Sequence, residues 1–424
     1  MRRGWAFLTV GLGLAAALIA ANPSTTNALI PGGLVPGALA QGTKTRISFW
    51  HSMAGGEKAV NALIDGFNKS QDRFEVVPTM SGTYPESNTK LIAALRARNA
   101  PVIFQAEIGF FPRLAEDGVL ADLSNLEKSL PDELQKDFFA ALWNYGVWEG
   151  KRVGLPWNAS TPVLFYNANL MRGKGLKPPT TWAEFAQVAK ALTSRSTKGW
   201  IAFADSWQFE QMVLSRGGSV VTADGKPNFV SKEVVDALEF MRDLVRNGNA
   251  IPRNVGEAQF AILDFVRTKA AMAIASIANW PDILPFSVAF ELGAAPLPKG
   301  TRTVVPFGGA QLVVMKDSSS DEVAGAWAFW QYLMRPESIV AWTKASYYVP
   351  VRRSALPLLT DWYKENPYRK TAFEQFDEAV SRPRVPGYAV WKTYLEEAIE
   401  RVIKGNQDAK TALEEAQRRS LAQR

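Results

Sequence analysis

Apolar and polar positions fall into short blocks along the chain, and the blocks change period in a regular way. "TRISFW" from Thr45 reads as a strand, and the segment after it carries Val60, Leu63, Ile64 and Phe67 at the i, i+3, i+4, i+7 spacing of a helix. "FEVVPT" predicts a second strand. "NTKLIAALRARN" predicts a second helix, stopped before Pro101, and "VIFQAE" a third strand. This β-α-β-α-β order with short links argues a parallel sheet covered by helices. Ligands gather at the carboxyl ends of such strands, which draws attention to residues 49–52, 81–84 and 105–109.

The middle of the chain repeats the style with new spacing. "TPVLFYN" and "GWIAFAD" predict strands, and "TTWAEFAQVAKALT" a helix capped by Thr180 or Thr181. "AAMAIAS", "FELGAAPLP" and "VVPFGGAQLVVM" return to strand patterns. The last third is mostly helix, with one stripe of Val323, Trp327, Trp330 and Met334 and another of Leu395, Ile399, Val402 and Ile403. The polar "KDSSSDE" at 316–322 reads as a hinge-like link. Two α/β lobes are expected: 41–158 plus 291–316, and 159–290 plus 317–424, with a ligand cleft between them.

Length and composition sharpen this. A chain of 424 residues exceeds one ordinary core. Arg2 and Arg3 before a long apolar run, and small residues at Ala38 and Ala40, predict a signal peptide over 1–40 cleaved before Gln41, with a membrane anchor as the rival reading of the same run. Export to the periplasm follows, and with no cysteine in the chain there is neither a disulfide nor a lipid anchor on a cysteine. Net charge is +7, or +5 without Arg2 and Arg3, too little and too scattered for nucleic acid.

One histidine and no cysteine exclude a cysteine-histidine pair and a multi-histidine zinc site. There is no GxSxG elbow for a serine nucleophile and no GxxxxGK[ST] loop for a nucleotide. No metal, cofactor or catalytic residue is expected, although paired carboxylates leave a secreted glycosidase or phosphodiesterase open as a rival. Binding has more support. The 14 tryptophans include several beside small or polar residues, as in "WHS", "PWNAS" and "SWQF", where a flat ring can cover the carbon face of a polyol. His51 either shapes its loop or touches the ligand.

The segments "FWHSMAGGEKAVNALIDGFNKS", "VVPTMSGTY", "LIAALRARNAPVIFQAE" and "WNASTPVLFYN" resemble, in order and spacing, the periplasmic binding proteins of sn-glycerol 3-phosphate ABC importers. These belong with the extracellular solute-binding proteins of the maltose-binding type. The likeness runs from Ile47 to the C-terminal "AKTALEEAQRR". It implies a two-lobed periplasmic binding protein fold that closes on its ligand, no enzymatic activity, permease subunits in the membrane as partners, and a monomer. It implies ligand contacts from Tyr84, Glu107, Ser160, Trp207, Ser276, Gly309 and Tyr348. The family's phosphate-binding arginine falls on Lys392, a point charge in place of a bidentate fork, with Arg382 and Arg384 close enough in sequence to supply that fork instead. The second of two flanking tryptophans is missing, with Phe209 nearest. The expected ligand is sn-glycerol 3-phosphate or a glycerophosphodiester such as glycerophosphocholine. The alternative is a di- or oligosaccharide.

Overall fold

The computed structural model describes residues 43–423; the leader and its expected cleavage site lie outside the described residues. Ten strands build two sheets: β1 Thr45–His51, β2 Phe74–Met80, β3 Ile103–Glu107, β4 Leu155–Ser160, β5 Pro162–Asn167, β6 Lys198–Ala204, β7 Ala250–Asn254, β8 Ala270–Ser276, β9 Leu292–Ala295 and β10 Gly308–Val314. The first sheet has the order β2-β1-β3-β10-β4, the second β9-β5-β8-β6-β7.

In the first sheet β1, β2 and β3 are parallel, and β10 runs against both β3 and β4. The carboxyl ends His51, Met80, Glu107 and Ser160 therefore share one edge. In the second sheet β6, β7 and β8 are parallel and β5 runs against β8. Ala204, Asn254, Ser276 and the start of β5 at Pro162 share its corresponding edge. Only Thr161 separates β4 from β5, so the two edges are joined directly.

The helices follow the apolar spacing. α1 Glu57–Lys69 buries Val60, Leu63, Ile64 and Phe67, the stripe read from sequence. α2 Tyr84–Arg96 starts with a capping box, in which the Thr83 amide donates to the Glu86 carboxylate at 2.8 Å. In the second lobe α3 Trp182–Leu192 is capped by Thr181, whose hydroxyl accepts from Glu184 N. There α4 Ser206–Ser215 and α5 Lys232–Arg246 pack over Trp200, Met212 and Leu238.

The last third departs from the expected lobe division. α6 Ser320–Leu333 and α7 Pro336–Ser346 bury Phe329, Trp330, Ile339 and Trp342 in the core of the first sheet, α6 against β1 and α7 against α1. Ser319 caps α6, so "KDSSSDE" is a turn within the first lobe rather than a link between lobes. Strand β9 pairs antiparallel with β5 and belongs to the second sheet. The apolar runs 292–295 and 308–314 look alike in sequence, and pairing partners decide which sheet each joins. Only α8 Tyr388–Ile403 and α9 Ala409–Leu421 return to the second lobe. The chain crosses again where Val305–Pro306 pairs in parallel with Ala379–Val380. Among the described residues no helix is long and apolar enough to cross a membrane.

Candidate functional site

The first sheet's edge is built from neutral groups. Gln105 on β3 accepts from the Ser52 amide at 2.7 Å and donates to the Tyr84 hydroxyl at 3.2 Å and to Asn158 Oδ1 at 3.1 Å. Asn158 Nδ2 donates to the same Tyr84 hydroxyl at 3.3 Å. Burial pushes the phenols of Tyr84 and Tyr348 up, so both stay protonated and able to donate. Tyr348 is set in place by an aromatic ladder, stacked on Trp342 at 5.7 Å, which stacks on Trp157 at 5.2 Å. Tyr347 ends α7 in the left-handed region at φ 62°, which turns the chain so that Tyr348 follows at the edge.

Two glycines permit close approach at the start of β10. Gly309 has φ +109°, and a Cβ there would overlap the Asn158 carbonyl oxygen. At Gly308 a Cβ would meet the Trp207 ring at 2.6 Å. Trp207 itself donates its indole N–H to Pro306 O at 2.9 Å. Ser160 pairs with Gly308 across the sheet and is buried.

The opposite edge is charged, and it reaches the one carboxylate described on the first edge. Glu107, at the carboxyl end of β3, receives Arg382 Nη1 on one oxygen and Lys392 Nζ on the other, each at 3.2 Å. Burial works to raise its pKa, and Lys392 and then Arg382 outweigh that, holding it below the ordinary carboxylate range. Arg382 also donates through Nη2 to Glu210 at 2.6 Å and to Ser206 Oγ at 3.1 Å, and through Nε to Glu210. Tyr388 donates its hydroxyl to Glu210. Glu396 accepts from the Ser206 amide at 3.1 Å and hydroxyl at 2.6 Å, and burial, with Asp205 close by, pushes it up to about 7. Asp205, which caps α4 by accepting from Gln208 N, is raised by burial too.

These contacts distinguish the three cations. All three guanidinium nitrogens of Arg382 are spent on Glu210, Glu107 and Ser206. Arg384 donates to the Val147 carbonyl and lies over the Tyr145 and Trp148 rings at 5.0 and 5.6 Å. Arg382 therefore offers no open fork to a phosphate, whereas Arg384 keeps a buried Nε–H with no acceptor among the described residues. Lys392 donates to Glu107 and keeps a fifth of its side chain exposed, so it is the cation best able to change partners.

Of the eight residues singled out from sequence, Tyr84, Glu107, Ser160, Gly309, Tyr348, Trp207 and Lys392 fall at the facing edges. Ser276 ends β8 opposite Pro162, but its hydroxyl accepts from Ala278 N at 3.2 Å as a turn cap. His51 is fully buried. Its Nδ1 accepts from Met53 N at 3.4 Å, and burial lowers its pKa to about 4. It shapes the loop as a neutral ring. The sequence reading covered Gln105 only within the strand end 105–109 and missed Asn158, Ser206, Glu210, Tyr388 and Glu396. Glu210 had a signal: an acid between Phe209 and Met212 on a helix buried along most of its length.

Comparison with known proteins places the fold and the family. An sn-glycerol-3-phosphate-binding periplasmic protein UgpB of Brucella abortus is 27% identical over 406 residues, covering 89% of this chain and 93% of the relative. The crystal structure of UgpB from Mycobacterium tuberculosis in complex with glycerophosphocholine superposes with a TM-score of 0.80 at 22% identity, covering 89% of this chain and 98% of that one. The GacH receptor of Streptomyces glaucescens, solved with acarbose, gives 0.79 at 23% identity over 90% and 99%. Residues 62–371 match the family described as bacterial extracellular solute-binding protein, and the chain belongs to that family.

Proposed function

We propose that the protein is the solute-binding component of an ABC importer and captures sn-glycerol 3-phosphate or a glycerophosphodiester such as glycerophosphocholine for delivery to permease subunits in the membrane. The observation that carries the reading is the Glu107–Lys392 pair, which joins the end of β3 to α8 across the facing edges. A polyol phosphate divides this pair chemically: Glu107 accepts from the glycerol hydroxyls, and the Lys392 ammonium turns to the phosphate oxygens. Tyr84, Tyr348 and Ser160 add hydroxyl donors, Trp207 a flat face, and Gly309 a backbone free of a side chain. Ligand contact by these residues and by Ser276 is part of the proposal.

Membership in a family of extracellular proteins puts the chain outside the cytoplasm. Cleavage before Gln41 to a soluble, monomeric periplasmic form belongs to the proposal. So does action by binding without turnover of the ligand. A carbohydrate ligand is the second reading, favoured by the carboxylates Glu107, Asp205, Glu210 and Glu396 gathered around only two cations, which suits uncharged hydroxyls.

Calorimetric titration of the purified protein with sn-glycerol 3-phosphate, glycerophosphocholine and maltose decides between them. Saturable heat from either phosphate is the expected result. Heat from the disaccharide alone would transfer the site to carbohydrate.

A further inference from the structure

The cations of the charged edge are committed to two of its carboxylates. Arg382 pairs with Glu210 at 2.6 Å and Lys392 with Glu107 at 3.2 Å. The further contact of Arg382 with Glu107 adds no charge. Asp205 and Glu396 are left without an ion pair among the described residues, and the chain brings these two together. Asp205 stands immediately before Ser206, whose amide and hydroxyl both donate to one oxygen of Glu396. The Ser206 oxygen also accepts from Arg382 Nη2, which ties the pair to the side chain that holds Glu107. Lys392 lies one turn before Glu396 on α8, so the two share a face.

Other charges on the elements packed against α8 are engaged elsewhere. Glu400, one turn further along that face, is taken by Asn254 and Lys404. Arg242 of α5 pairs with Asp243 and Lys232 with Asp236, while Arg253 of β7 pairs with Asp264 and Arg419 of α9 with Glu397. Lys198 stands at the far end of β6 from Asp205. Positive charge therefore reaches Asp205 from Arg382 and Lys392, and Glu396 from Lys392. Burial raises both carboxyls, and Asp205 adds to the rise of Glu396 to about 7. A phosphate that takes Lys392 brings negative charge beside the pair and occupies the cation that had favoured its ionised form. Both changes favour protonation.

We propose that Asp205 and Glu396 form a proton site coupled to the ligand site: an anionic ligand that takes Lys392 binds together with a proton, which the pair accepts. The inference rests on the phosphate reading given above. With the proton, the edge seats an anion although four carboxylates face two cations.

Isothermal titration of the purified protein with glycerophosphocholine and sn-glycerol 3-phosphate, in pairs of buffers that differ in ionisation enthalpy, counts the protons. A phosphodiester has no proton to exchange near neutral pH, and a phosphate monoester loses its second proton at about pH 6, so protons taken up above about pH 7 belong to the protein. If the ligand raises the proton affinity of the pair about tenfold, about half a proton should be taken up per ligand at pH 7.5, and affinity should fall about fourfold from pH 7 to 8.5. Glu396→Gln and Asp205→Asn each keep a side-chain oxygen to accept from Ser206 or Gln208 and leave the other acid without a like-charged neighbour. Each should abolish the uptake and bind about threefold more tightly than the parent at pH 8.5. Saturable binding with no proton uptake and a flat pH profile, or uptake that survives both substitutions, would overturn the coupling while the phosphate reading stands. No heat from either phosphate would overturn both.

Discussion

The two facing edges of the molecule use opposite means to fix their side chains. Apart from Glu107, the first-lobe edge is neutral: Gln105, Asn158, Tyr84 and Tyr348 are held by amide and hydroxyl bonds and by stacked rings behind them. The second-lobe edge is ionic: Arg382 is locked between Glu210 and Glu107, and Glu396 is held by Ser206. Neutral networks orient groups without choosing the ligand's charge. Buried ion pairs do choose it, because any ligand must leave each charge with a partner.

Breaking the ionic edge should have the larger effect. Arg382→Met leaves Glu210 and Glu107 buried with one cation fewer, and removing one partner of such a pair costs about 3–5 kcal/mol. Urea unfolding should show that loss, whereas Gln105→Ala on the neutral edge should cost about 1–3 kcal/mol, the penalty of unpaired amides. A smaller loss at Arg382 than at Gln105 would reverse the comparison. Lys392→Ala comes next. It should weaken an anionic ligand by roughly 1.5–3 kcal/mol in calorimetric titration, the value of a charge-assisted bond. Unchanged affinity would remove Lys392 from the phosphate site.

How far each edge could be read from sequence follows the same division. The strands of the first lobe announce themselves by apolar runs and Pro or Gly stops, so the ends at His51, Tyr84 and Glu107 were placed where the structure has them. The ionic edge is assembled from α4, the 379–384 crossing and α8, segments far apart in the chain. Periodicity says nothing about which distant charges meet. That is why Arg382 looked like a free phosphate fork in sequence and proves to be saturated by Glu210. The same limit hides the sheet of 292–295 and the lobe of helices 320–333 and 336–346, because an apolar strand carries no label for its sheet and a Trp-rich helix stripe fits either core.

The pH response offers a third separation of the edges, carried by one residue on each. Burial depresses His51 to about 4, so between pH 4 and 6.5 the unfolded chain binds the proton and the folded protein does not. Its contribution to stability rises with pH across that window. Glu396 is raised to about 7 from an ordinary value near 4.5, so there the folded protein binds the extra proton and the contribution falls as pH rises from 4.5 to 7. The two slopes oppose each other. Relative to the parent protein, Glu396→Gln should make stability climb more steeply between pH 4.5 and 6.5, and His51→Gln should make it fall. Unfolding midpoints over that range would show it, and slopes of the same sign in both variants would refute the assignment.

Ser276→Ala should have the smallest effect, and it tests the one expected contact that the fold has already put to another use. The Ser276 hydroxyl accepts from Ala278 N, which fixes the turn after β8 and leaves its proton free to donate. Loss of the cap should cost about 0.5–1 kcal/mol of stability. If the remaining proton reaches the ligand, affinity should fall by a further 0.5–1.5 kcal/mol or about that, the net value of one neutral hydrogen bond. Ser160→Ala is the natural comparison, since Ser160 is buried on the neutral edge. A stability loss without an affinity loss at Ser276, beside an affinity loss at Ser160, would assign hydroxyl recognition to the first lobe and leave the second lobe to read charge alone.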